Sequence, residues 1–173
     1  MRVGIQGWGS EGDLRPLIAL AGGLRRSGHE VRLVLTPVDG KDYSGLCRSL
    51  DVALRVVPER LDFTLDKVAE DAQSLDPLKV SRELVKRAFD PFVDQLYESA
   101  RELCASADVL VWHYSCWYAK AAALKSGTPD AAVHFYPGLV PTRERPPGGL
   151  PNLGVLNPLL WRAARWMLDQ FRQ

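Results

Sequence analysis

Short apolar segments alternate with amphipathic helical patterns along this chain, and that alternation restricts the fold more than any other feature. The segments are apolar at consecutive positions, which is typical of strands buried on both faces of a parallel sheet. Between them apolar residues recur at helical spacing, first at Leu17, Leu20, Ala21 and Leu24. Strands are predicted at residues 1–7, 31–36, 52–57, 108–113 and 131–136. We therefore predict a doubly wound, Rossmann-like α/β fold with a parallel sheet flanked by helices.

The second half of the chain carries further helical patterns. Residues 76–106 have an apolar stripe at helical spacing, and Pro91 within it predicts a kink or two consecutive helices. Helices are also predicted over 117–126 and from Asn157 onward, with a proline- and glycine-rich loop over 137–151. The weakly patterned residues 58–75 predict a loop with at most one short helix. At 173 residues the whole chain, 1–173, fits a single domain.

The turn between the first strand and the first helix contains the segment GWGSEGDLRP. Its glycines match G-x-G-x-x-G, which would indicate an NAD(P)-binding oxidoreductase domain. Two features weaken that match: Pro16 predicts a helix that starts after the glycines, and the acid expected at the end of the second strand is missing, because Asp39 lies beyond Pro37. A simpler interpretation is that Ser10 and Asp13 cap the helix. On spacing alone, capping explains these residues at least as well as catalysis does.

A third interpretation comes from resemblance. Residues 1–37 resemble the opening of the UDP-glycosyltransferase superfamily of GT-B fold, closest to its sterol glucosyltransferase and antibiotic glycosyltransferase branches. Residues 136–161 resemble the sterol-type segment of that family, and the likeness between the two stretches is loose. The family pattern is a strand, G-S-x-G-D-x-x-P, an A-L-rich helix and G-H-x-V. It is matched at Gly9, Ser10, Gly12, Asp13, Pro16, Ala19, Leu20, Gly28, His29 and Val31.

This resemblance implies that the chain is the N-terminal, acceptor-binding half of an inverting glycosyltransferase. Asp13 matches the family's general base, and an acceptor hydroxyl needs such a base because it is a poor nucleophile until its proton leaves. Ser10, Gly9 and Gly12 match positions facing the diphosphate of the co-substrate, a UDP- or TDP-sugar, and no other cofactor is expected. A hydroxyl and backbone amides at a helix start are good anion ligands.

The family's donor-binding signature begins with a histidine followed by a glycine-rich stretch. None of His29, His113 and His134 is followed by such a stretch. We therefore expect the C-terminal donor-binding domain to be absent from this chain. The chain alone is then expected to be inactive, and to need a donor-binding domain or partner subunit. A non-catalytic partner or scaffold of the same fold is the alternative, against which the presence of Asp13 argues mildly.

Aromatic residues near the carboxyl ends of strands four and five predict a site for a lipophilic small-molecule acceptor, such as a sterol or another natural product. Side chains on a strand alternate between faces, so about half of these residues are expected to belong to the core instead. His113 either assists Asp13 or is a buried, hydrogen-bonded histidine. The candidate acceptor-binding residues are Trp8 (placed in the glycine loop), His113, Tyr114, Trp117, Tyr136 and Pro137.

Composition excludes several other functions. A net charge of +1 gives no electrostatic case for binding nucleic acid, which normally needs a basic face. No histidines have metal-ligand spacing, so no bound metal is expected, and three scattered cysteines suggest neither zinc nor a disulfide framework. No apolar run reaches membrane-span length and no signal peptide is recognisable, which favours the cytoplasm. The last helix combines Trp161 and Trp166 with arginines, which indicates a docking face for another domain or, at most, peripheral membrane contact.

Overall fold

The computed structural model of the protein describes residues 1–58, 86, 89–136, 140–148 and 150–170, with only the backbone for 167–170. It contains two compact units, Met1–Val133 and His134–Gln173. The assignment of all 173 residues to one functional domain stays a prediction.

The described part of the first unit alternates strands and helices. Its strands are β1 (Arg2–Gly9), β2 (Glu30–Pro37), β3 (Ala53–Val56), β4 (Val109–His113) and β5 (Asp130–Val133). Its helices are α1 (Glu11–Arg26), α2 (Ser44–Ser49), α3 (Val93–Ser106) and α4 (Trp117–Ser126), with a 3₁₀ turn at Asp90–Phe92 before α3. In the second unit a 3₁₀ turn at Gly154–Leu156 leads into α5 (Asn157–Gln170). None of these described helices is both long and apolar enough to cross a lipid bilayer.

The five strands form one parallel sheet in the order β3-β2-β1-β4-β5. This confirms the predicted Rossmann-like α/β fold. The chain moves outward from β1 to β2 and β3, and then returns to place β4 on the other side of β1. The carboxyl ends of β1 and β4 therefore flank the topological switch point, which is where open α/β sheets form a ligand crevice.

Each face of the sheet is buried under helices. On one face, Ile5 of β1 and Leu33 of β2 join a cluster with Leu14 and Leu17 of α1. On the other face, Leu110 of β4 belongs to a cluster that contains residues of α3 and α4. The apolar runs of the strands and the apolar stripes of the helices therefore pack against each other on both faces of the sheet.

Several predicted boundaries agree with the structure and several do not. Helix α4 and the start of α5 fall where predicted, and the 3₁₀ turn containing Pro91 lies at the expected interruption. The short helix α2 was not anticipated, because its six residues are too few for a visible period. Of the predicted 58–75 loop only residue 58 is described, and most of 76–88 also lies outside the described residues.

Helix α1 begins at Glu11, inside the glycine pattern, so the prediction that it starts after the glycines is wrong. Pro16 is tolerated inside the helix because the carbonyl that it leaves without a helical donor belongs to Gly12, in the exposed first turn. Strand β1 continues through Gly9, so Trp8 is a strand residue and not part of the loop. Strand β5 ends at Val133, so residues 134–136, predicted to finish it, follow it instead.

Candidate active site

Asp13 is the third residue of α1, directly above the end of β1. Its Oδ2 accepts a hydrogen bond from the Ser10 amide at 3.0 Å and lies 3.4 Å from Ser10 Oγ. This is the helix cap that the sequence allowed. Both the amide and the hydroxyl of Ser10 therefore donate to a carboxylate of the same chain, the hydroxyl over the longer distance.

At Gly9 the Asp13 carboxylate occupies the space that a side chain would need. Its φ of +144° is a conformation that L side chains rarely adopt. A Cβ atom at Gly9 would lie 2.3 Å from Asp13 Oδ2 and 2.7 Å from Asp13 Cβ. A Cβ at Gly12 would meet open space. The two glycines of the loop thus differ: Gly9 shapes the pocket for the carboxylate, and Gly12 leaves the outer side of the first turn open.

His113, the last residue of β4, faces Asp13 across the switch point. Its Nε2 lies 3.6 Å from Asp13 Oδ1. The histidine side chain is 1% exposed, whereas the Asp13 side chain is 33% exposed. The carboxylate therefore reaches solvent on one side while it contacts a buried imidazole on the other. This is a favourable arrangement for a base, because the carboxylate stays accessible on the side away from the imidazole.

Ser115 holds the other side of the imidazole. His113 Nδ1 lies 2.7 Å from Ser115 Oγ, which in turn lies 3.3 Å from the Trp8 carbonyl oxygen. A continuous polar chain therefore runs from Asp13 through His113 and Ser115 to the backbone of β1. Sequence reasoning missed Ser115, since a serine two residues past a strand carries no recognisable signal.

One of the candidate aromatic residues packs against another ring, and two are exposed just past the carboxyl end of β4. Trp8 is half-buried and stacks on Phe89, with ring centroids 4.5 Å apart and planes at 22°. Tyr114 and Trp117, just past β4, are 39% and 44% exposed. The Tyr114 ring meets His113 edge-on at 4.4 Å, and its pKa is raised by burial and by the negative charge of Asp13.

The remaining acceptor candidates lie after the end of β5. Tyr136 belongs to the second unit, where it is 56% exposed. Pro137 lies outside the described residues. Their predicted role stays a prediction.

The charges around the loop are partly paired. Glu11 forms an ion pair with Arg15 at 2.6 Å and another with Lys41. Asp39, the acid nearest the end of β2, accepts hydrogen bonds from the Lys41 amide and the Tyr43 hydroxyl. Within the described parts of the chain, no three histidine, cysteine or acidic side chains are grouped as a metal site would require.

The geometry also bears on the dinucleotide fingerprint. Because α1 starts at Glu11, inside the glycine pattern, one of the two arguments against that fingerprint does not hold. The other argument remains, since Asp39 lies beyond the end of β2 and is bonded locally.

Comparison with known proteins identifies the fold. No family profile matches the sequence, and no curated protein is significantly similar to it. Among solved structures, the chain is similar to the kitacinnamycin glycotransferase, with a TM-score of 0.50 and 20% identity over 76% of this chain and 29% of that one. It is similar to TcCGT1 in complex with UDP, with a TM-score of 0.53 and 14% identity over 79% of this chain and 29% of that one.

A third similar structure is not described as a transferase. It is the C-terminal domain of a Pyrococcus furiosus hydrogenase, with a TM-score of 0.52 and 14% identity over 77% of this chain and 89% of that domain. At these identities the likeness concerns the Rossmann-like fold, which hosts many functions. The chain spans less than a third of the length of the first-named glycotransferase and of TcCGT1.

Proposed function

We propose that this chain is the acceptor-binding, N-terminal half of an inverting glycosyltransferase of GT-B type. It would act on a hydroxyl of a lipophilic acceptor, a sterol or another natural product, with a UDP- or TDP-sugar as donor. The observation that carries the proposal is the Asp13 carboxylate, partly open to solvent and faced by buried His113 at 3.6 Å across the switch point. The motif at Gly9–Asp13 and the resemblance of residues 136–161 support it.

Asp13 is the general base of the proposed reaction. It takes the proton of the acceptor hydroxyl as that oxygen bonds to the anomeric carbon and the bond from this carbon to the diphosphate breaks. One direct displacement inverts the configuration of the carbon. A positioned base of this kind contributes roughly 10²–10⁴ in rate. His113 contacts Asp13 Oδ1 from the buried side, so the exposed side of the carboxylate stays available to the acceptor.

The two substrates are assigned to different groups at the carboxyl ends of β1 and β4. The exposed rings of Tyr114 and Trp117 provide apolar surface for the acceptor next to Asp13. The Ser10 hydroxyl, with the Gly9 and Gly12 backbone, is assigned to the donor diphosphate, at the positive end of α1. Further donor contacts come from a donor-binding domain or partner subunit, which fits the 29% share of TcCGT1 that this chain covers.

A non-catalytic partner of the same fold is the second candidate. The bond from the Ser10 amide to Asp13 supports it, because that bond gives the carboxylate a structural role without catalysis. An NAD(P)-binding oxidoreductase domain is third, disfavoured because Asp39, the acid nearest the end of β2, lies beyond that strand and is bonded locally.

The proposal is tested with the chain assembled with a donor-binding domain of the same superfamily. Sugar transfer from UDP- and TDP-glucose is measured on a panel of sterols and polyketide alcohols, with acceptor binding followed by tryptophan fluorescence. Transfer with inverted product configuration supports the proposal. Acceptor binding without transfer favours the non-catalytic partner. Binding of NADH, titrated in the same fluorescence assay, would favour the oxidoreductase domain.

A further inference from the structure

The buried imidazole of His113 is part of a chain that contains three other polar groups of different hydrogen-bonding capacity. Asp13 Oδ1, on the Nε2 side, is a carboxylate oxygen that accepts only. Ser115 Oγ, on the Nδ1 side, is a hydroxyl that both donates and accepts. The Trp8 carbonyl, 3.3 Å beyond Ser115 Oγ, accepts only. The two ends of this chain of groups are thus fixed acceptors, whereas its two inner members, the imidazole and the serine hydroxyl, can each donate or accept.

A neutral imidazole carries one N–H and one bare nitrogen, and which nitrogen is bare depends on its neighbours. A bare Nε2 would place its lone pair against the Asp13 carboxylate, which is repulsive. An Nε2–H instead points at that carboxylate, and Nδ1 must then accept. The Ser115 hydroxyl at 2.7 Å is placed to donate to Nδ1.

The same hydroxyl also suits a protonated imidazole. When both ring nitrogens carry hydrogen, Nδ1–H donates to Ser115 Oγ. The serine hydrogen then turns to the Trp8 carbonyl. Nε2–H faces Asp13 in this state as well. A backbone carbonyl in place of Ser115 could only accept, and it would force the bare nitrogen toward Asp13 whenever the imidazole is neutral.

We propose that Ser115 is a positioning residue that keeps the Nε2–H of His113 directed at Asp13 in both charge states of the imidazole. Its catalytic consequence rests on the proposed function. Because Nε2 already carries a hydrogen, the proton that leaves the acceptor hydroxyl goes to the Asp13 carboxylate and not to His113. The carboxylate becomes a neutral acid, and the Nε2–H of His113 still faces it.

The tautomer is read directly from the chain labelled with ¹⁵N in its histidine rings. Long-range ¹H–¹⁵N correlation spectra assign the Nδ1 and Nε2 resonances, and the His113→Gln variant identifies those of His113. For the neutral ring we expect the Nε2–H form, with an Nδ1 resonance characteristic of a nitrogen that accepts a hydrogen bond. An Nδ1–H form in the native chain would overturn the proposal, whatever the protein's activity.

Two variants test whether Ser115 is responsible. Ser115→Ala removes the hydroxyl, and we expect the Nδ1 resonance to move toward that of a nitrogen without a donor; Ser115→Thr, which keeps the hydroxyl, restores the native position. A spectrum of Ser115→Ala identical to the native one contradicts the proposal. Should Ser115→Ala fail to fold, the native spectrum and that of Ser115→Thr still decide the tautomer.

A kinetic arm tests the catalytic consequence in the assembly with a donor-binding domain. There Ser115→Ala is expected to lower kcat by about tenfold or more, with KM for the acceptor within about twofold, and Ser115→Thr is expected to recover the rate. An unchanged kcat in Ser115→Ala would overturn the catalytic part. An inactive native assembly would count against the proposed function, while the ring spectra would still report on Ser115.

Discussion

Replacing Gly9 with alanine tests the packing of the candidate base against the end of β1. The new Cβ would lie 2.3 Å from Asp13 Oδ2 and 2.7 Å from Asp13 Cβ, so the aspartate must shift. Overpacking of this kind costs about 1–3 kcal/mol, and a residue held at an unfavourable φ such as +144° costs a further 1–3 kcal/mol or so. We therefore expect Gly9→Ala to lower the free energy of unfolding by about 2–6 kcal/mol.

Gly12→Ala is the matched control, from the same loop. It adds the same methyl group into open space at a helical position, where alanine is favoured over glycine by up to about 1 kcal/mol. Urea unfolding of the native chain and both variants, followed by far-UV circular dichroism, compares the two costs. The Gly9→Ala cost should also shrink in an Asp13→Ala background, where two of the three clashing atoms are gone. Equal effects of the two glycine substitutions would refute this description of the loop.

Two other predictions concern stability and thiol chemistry. Asp130 accepts hydrogen bonds from Trp112 Nε1 at 2.7 Å and Lys120 Nζ at 2.8 Å; burial raises its pKa, but these bonds outweigh burial and hold it below the ordinary value. The stabilisation by Asp130 is therefore complete above the unfolded-state pKa of about 3.9 and is lost as the pH falls through the lower folded-state pKa. In urea unfolding, Asp130→Asn should lower the free energy of unfolding by about 1–3 kcal/mol at pH 7 and by nearly nothing at strongly acidic pH. An equal cost at both pH values would count against this pair. Burial raises the pKa of Cys116 to about 12, and all three cysteines are buried, so Ellman's reagent at pH 8 should react only after unfolding; rapid labelling of the native chain would show otherwise.

The fold was accessible from the sequence because it depends on local signals. Apolar runs and helical spacing report burial residue by residue, and their alternation leaves a parallel sheet as the natural solution. The errors lie where tertiary structure outweighs a local rule. Pro16 predicts a helix that starts after the glycines, but β1 pairs through Gly9 and Ser10 caps α1, so the helix begins at Glu11, inside the glycine pattern.

The candidate site was accessible only in part. The motif placed Asp13 at a strand-to-helix turn, and the apolar run before His113 placed that residue at the end of a strand. Their contact depends on β4 pairing with β1, which no local pattern of a five-stranded chain specifies. Ser115 could not be found at all, because its role depends on a buried nitrogen two residues away and on a carbonyl of β1.

In the proposed function the Asp13 carboxylate is the base for sugar transfer. The most direct measurement compares kcat of the native chain, Asp13→Asn and Glu11→Gln, each assembled with the same donor-binding domain. Asparagine keeps an oxygen for the Ser10 amide, so the cap survives, while Glu11 is an acid of the same turn that pairs with Arg15 and Lys41. We predict that Asp13→Asn loses roughly 10²–10⁴ in kcat with acceptor binding preserved, and that Glu11→Gln stays near the native rate. A native rate in Asp13→Asn would contradict the claim and leave Asp13 as a helix cap.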